Sequence, residues 1–139
     1  MGFEDNYNVF CELTQWSYFI AKFEKAIEYG RRASLCPHQT DYSFVTCIIA
    51  ESYYKLGRYA ESLEMYELFV KSGDALLPAF INYNKVRSVV NADNSLEEFW
   101  DSLNFDNTSK VEKDNLTLKY AKALMELGKF DKASNLLKK

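Results

Sequence analysis

The sequence predicts an all-α chain folded as about four stacked helical hairpins. Three observations carry that expectation: apolar residues at helical spacing, a scarcity of turn-formers, and self-similarity at a period of about 36 residues. In the stretch YYKLGRYAESLEMYELFV, from Tyr53 to Val70, one helix ends at Gly57. Lacking a Cβ, Gly57 suits the left-handed conformation that closes a helix. Tyr59, Leu63, Tyr66 and Val70 then recur at helical spacing and predict one apolar stripe on the next helix. Ser62 lies in that stripe as a small residue, where a neighbouring helix approaches closely. Five Gly and two Pro are few for a chain with many tight turns, whereas helices joined by short loops need few.

The central stretch recurs along the chain. Aligned on the turn, Ala21, Gly57, Asn94 and Gly128 correspond, followed two residues later by Phe23, Tyr59, Leu96 and Phe130. Next come Ala26, Ser62, Phe99 and Ala133, spaced 36, 37 and 34 residues apart. That period marks a stacked helical array. With 139 residues, 47% of them hydrophobic, the chain is expected to form a single domain.

The first hairpin is expected over about residues 7–36, with Phe10, Leu13 and Trp16 to Tyr18 facing inward, and Cys36-Pro37 ends it because proline cannot continue a helix. The second covers about 41–72, from an N-cap at Thr40 or Asp41 to Ser72-Gly73-Asp74. The third covers about 78–104. Pro78 suits its first turn, and Ser95 and Glu98 stand at capping-box spacing before its second helix. Asn104 to Ser109 is loop chemistry, and the fourth hairpin covers about 111–139. It ends without a polar closing helix, which predicts the front segment of a longer array.

Composition narrows the function. Net charge is −3 with acids and bases interspersed, and the C-terminal scatter from Lys119 to Lys139 reads as a solvated helix face, so no direct nucleic-acid contact is expected. Three cysteines without a CxxC pair, and no signal peptide or membrane-length apolar run, point to a cytoplasmic or nuclear protein without membrane contact. Catalysis is not expected. The one histidine, His38, lies in a loop beside Pro37; with Cys36 it offers only two metal ligands, where a closed zinc site needs four. Glu24/Glu28 and Glu97/Glu98 read as solvated helix faces, and no glycine-rich phosphate loop is present, so no cofactor is expected.

The segments LGRYAESLEMYELFV, ELGKFDKASNLLKK and AKFEKAIEYGRRAS resemble the tetratricopeptide repeat, with Ala50, Gly57 and Tyr59, and again Ala121, Gly128 and Phe130, at its small, turn and aromatic positions. The third hairpin departs, with Asn94 for glycine and Phe99 for alanine. The resemblance implies a right-handed superhelix whose concave groove is lined by the first helix of each hairpin: Cys11 and Gln15, then Cys47, Glu51, Tyr54 and Lys55, then Asn84 and Ser88, then Leu118 and Lys122. The Lys/Asn set by which chaperone-type repeats clamp a terminal carboxylate is not reproduced, since Cys47 and Glu51 occupy matching places. The early first helix, three hairpins with a degenerate third and the polar break before the next are similar to the N-terminal repeats of anaphase-promoting complex subunits. That similarity implies a homodimerising scaffold within a ubiquitin-ligase assembly of the cell cycle. The large repeat subunit of the signal recognition particle is similar in style, and a monomeric adaptor holding one peptide in the groove is the alternative. The region before Pro37 holds more aromatic surface than one hairpin buries, which an end cap formed by Phe3 and Tyr7 or a self-contact would each cover; the resemblance to assembly subunits implies the second, self-association through Phe3, Tyr7, Phe10, Trp16, Tyr18 and Phe19.

Overall fold

The computed structural model describes residues 6–36, 43–71 and 77–138. Among the described residues the chain is helical, without strands: α1 (Tyr7–Phe19), α2 (Phe23–Ser34), α3 (Ser43–Lys55), α4 (Tyr59–Lys71), α5 (Leu77–Asn91), α6 (Ser95–Asp101), α7 (Lys110–Glu126) and α8 (Phe130–Leu137). The expected caps at Thr40 and Asp41, the Ser72-Gly73-Asp74 break, Phe3, Pro37 and His38 lie outside the described residues. The chain gathers into two compact units, Met1–Ala75 and Leu76–Lys139.

Consecutive helices join through one recurring turn. Ala21, Gly57, Ala92 and Gly128 take positive φ of 62°, 76°, 53° and 78°. After each, the next residue donates its N–H five residues back: Lys22 to Ser17, Arg58 to Tyr53, Asp93 to Ser88 and Lys129 to Leu124. This is the bond that satisfies an orphan carbonyl at a helix end. In the third hairpin the left-handed residue is therefore Ala92, not Asn94, and one more residue precedes the second helix than in the others. The capping-box expectation is corrected with it. Ser95 is the first helical residue of α6, and its N–H and hydroxyl both donate to Asp93 Oδ1, at 3.0 and 2.6 Å, while Ser88 Oγ accepts from the Leu96 N–H at 2.9 Å. Two flanking side chains do what a capping box does elsewhere.

In the first unit α1 packs on α2, α2 on α3 and α3 on α4. Of the expected inward face of α1, Phe10 and Ser17 are buried, with Thr14 beside them, whereas Leu13 and Trp16 are 38% and 61% exposed. Small residues win these places because the helices approach closely: a Cβ on Gly30 of α2 would stand 2.7 Å from Ile49 Cγ1 of α3 and 3.5 Å from Thr14 Cγ2. Thr14 satisfies its own hydroxyl on the Phe10 carbonyl. On α4 the buried stripe runs through Ser62, Tyr66 and Phe69, and the expected Tyr59 is 38% exposed. Ser62 is wholly buried and bonds across the helix pair to the Ala50 carbonyl at 2.7 Å, so a small residue is needed there for contact and for bonding alike. Ala26, on α2, is wholly buried too. One core cluster joins Phe10, Ala33, Cys36 and Val45, and a second joins Ile27, Ile49 and Tyr53.

In the second unit α5 packs on α6 and α7, and α7 on α8. Ile81, Leu96, Leu116, Tyr120, Leu124 and Ala133 form its core, with Phe99, Trp100 and Phe105 partly buried against it. Lys85 of α5 is 5% exposed, and its ammonium pairs with Glu126 of α7 at 2.7 Å. No helix among the described residues is long and apolar enough to cross a membrane.

Candidate functional site

The groove positions fall into three groups by surroundings. In the first unit Cys11 is half-buried against the Phe10 cluster, and burial pushes its thiol pKa up against the opposing pull of a Tyr7 hydrogen bond. Gln15 and Cys47 are half-buried as well. Glu51 accepts a hydrogen bond from the Tyr66 hydroxyl, Tyr54 packs its ring 5.3 Å from that of Tyr59, and Lys55 is exposed. In the second unit Asn84 and Ser88 are buried and engaged within their own hairpin. Asn84 donates to the Phe80 carbonyl and accepts from Arg87, and Ser88 holds the start of α6. Leu118 and Lys122 of α7 are exposed, Leu118 by 58%.

The residues expected for self-association divide along α1. Phe10 is 5% exposed and Tyr7 packs against the same cluster, so these two belong to the core of their unit; Phe10 is withdrawn from any outward surface. Trp16 and Phe19 are 61% and 66% exposed, with Ile20 beside them at 63%. Their rings meet edge to face at 6.2 Å, and Tyr18 continues the row to Phe23 at 5.6 Å. Phe10 and Trp16 point to different sides because Thr14 and Ser17 take the closely packed stripe and leave the large rings on the opposite face.

A second arrangement was not legible in the sequence. Glu97 of α6 lies 9% exposed and accepts at Oε2 from Lys129, at 2.6 Å, and Lys132, at 2.8 Å. These bonds hold its carboxyl below the usual range although burial pushes it the other way. Beside it Trp100 stacks on Tyr120 at 4.4 Å and 16°, and Glu97, Trp100, Asp101, Tyr120 and Lys132 help line a cavity of about 390 Å³. Glu97 next to Glu98 has the look of a solvated carboxylate pair. Glu97 turns inward five residues after the left-handed Ala92, as Ala26, Ser62 and Ala133 do after theirs, while Glu98 stays exposed. No known protein family, curated protein or solved structure matches this chain.

Proposed function

We propose that this chain is a non-catalytic scaffold of tetratricopeptide-like hairpins, wound as a right-handed superhelix, that joins protein subunits in an assembly such as a ubiquitin ligase and does so by self-association. The repeat reading is supported by the left-handed turn residues, which stand 36, 35 and 36 residues apart, a tighter period than the sequence alignment gave. The observation that carries the association reading is the outward row on α1. Three large apolar side chains, Trp16, Phe19 and Ile20, each more than half exposed on neighbouring turns, form a continuous patch rather than scattered surface residues. Rigid aromatics of this kind are the usual anchors of protein contacts. A two-fold dimer would set the row against itself.

Light scattering after size exclusion tests this at about 100 μM, enough to populate a dimer of micromolar affinity. The expected result is a dimer mass that falls to monomer in Trp16→Glu/Phe19→Glu, with Phe10 left intact so that folding is preserved. A chain that is monomeric before any substitution would overturn self-association and leave the peptide adaptor as the reading to pursue.

A further inference from the structure

Glu97 is a buried carboxylate only half used. Both of its lysine partners bond Oε2, whereas Oε1 is buried with no hydrogen-bond partner among the described residues. An ionised carboxylate offers about four acceptor sites, and a buried oxygen without a donor is costly. The two lysines also differ. The side chain of Lys129 is 25% exposed and that of Lys132 57%, so the second ion pair is the weaker and more replaceable. The Tyr120 hydroxyl, on the same cavity wall, is pushed up to about 12 by burial and by the negative charges of Glu97 and Asp101. The stacked rings of Trp100 and Tyr120 supply a flat apolar face.

These features select a planar cation. A lysine ammonium is a point charge and reaches one carboxylate oxygen, but a guanidinium spans both with its fork, keeps donors for Asp101 and lays its plane along aromatic rings. A cavity of about 390 Å³ has room for one long side chain. We propose that this cavity is a guanidinium-binding site, in which an arginine side chain displaces Lys132 from Glu97 and bonds both carboxylate oxygens. The site goes beyond the scaffold reading and does not rest on it, since no residue of the α1 row takes part. The guanidinium belongs to an arginine of a partner peptide or to a free small molecule, and the chemistry of recognition is the same.

The test is an NMR titration of the whole isotope-labelled chain with N-acetyl-arginine amide, using the isosteric but neutral N-acetyl-citrulline amide and N-acetyl-lysine amide as controls. Saturable shifts at the Trp100 indole N–H are expected at about millimolar concentration, with citrulline and lysine weaker by about tenfold. Glu97→Gln should abolish the effect. Because Glu97 is part of the packed interior, two exposed positions keep the outcome clear of folding. Asp101→Asn should weaken arginine about threefold, and Lys132→Met, which removes the competing cation, should tighten it about threefold or more. Equal binding of citrulline, shifts confined to other residues, or a Lys132→Met variant that binds no better would each overturn the proposal. A seven-residue peptide with one central arginine then separates the sources. Affinity about tenfold above the amide identifies a peptide guest, and equal affinity a free guanidinium compound.

Discussion

The two units are built from the same hairpin and the same left-handed turn, yet they dispose of polar groups and aromatic rings in opposite ways. The first buries hydroxyls: Thr14, Ser52 and Ser62 each donate to a helix carbonyl, and Trp16 and Phe19 are left outside. The second buries charge: Lys85 against Glu126 and Glu97 against two lysines, with Trp100 stacked on the buried Tyr120. A hydroxyl satisfied by a helix carbonyl, its own for Thr14 and Ser52 and the neighbour's for Ser62, lets helices close in, whereas an ion pair needs room and a charged partner from another helix. The first solution brings neighbouring helices close, and the second sets an ion pair beside a cavity.

The largest expected effect contrasts two aromatics of α1. Phe10→Asp places a charge in the first unit's core and should cost about 4 kcal/mol or more, while Trp16→Glu, on the outward row, should stay within about 0.5 kcal/mol. Equal losses in denaturant midpoints would break the assignment of inner and outer faces. Next comes the buried ion pair. Lys85→Ala strands the Glu126 carboxylate and should cost about 2–4 kcal/mol in thermal unfolding, discounted from a fully buried pair because Glu126 is 28% exposed. Lys85→Met with Glu126→Leu should recover most of that loss, since an apolar pair of similar volume commonly replaces a buried ion pair without penalty. A double variant as unstable as the single one would show that the charge itself is needed.

The third expectation is a pH response of the second unit. Folding raises the Tyr120 pKa from 10.0 to about 12, so the folded state prefers the protonated phenol. That contribution is complete below pH 10 and is lost as the pH rises towards 12, and Tyr120→Phe should remove the loss from an alkaline melting series. Glu97 works in the other direction: its lowered pKa stabilises the fold above about pH 4.5, and the gain disappears as the pH falls further. The smallest effect should be common to both units. Ala21→Gly and Ala92→Gly each relieve a side chain held at positive φ and should stabilise by about 0.5 kcal/mol, the strain relieved exceeding the backbone entropy added to the unfolded chain. A gain in one unit only would mean that the two turns are not equivalent.

How much was legible follows from which residues carry local information. Gly57 and Gly128 announce their turns because glycine has a backbone reason to be there, and Ala26, Ser62 and Ala133 announce the helix contacts because only small residues fit them. Ala92 announces nothing, and Asn94 is the better left-handed candidate by chemistry, so the sequence sets the third turn two residues late. The helices themselves follow from spacing, most ends falling within a residue or two of those expected, though α6 stops at Asp101, three residues short of 104. The inward face of α1 follows at Phe10 and Ser17 only, because Leu13 and Trp16 have the composition of a core and yet lie outside, with Thr14 taking the close approach at Gly30. Glu97 is illegible for the same kind of reason: its burial depends on lysines more than thirty positions away.

Cys36 gives the first unit a built-in clock. Its side chain is 1% exposed, sits in the Phe10 cluster and bonds the Arg32 carbonyl, and none of the three cysteines is in a disulfide. A thiol enclosed in this way reacts with an alkylating reagent only when the surrounding helices part. In a Cys11→Ser/Cys47→Ser background, the rate at which Cys36 is labelled therefore measures how often the unit opens, in the way amide exchange does, but at one chosen atom and without a spectrometer.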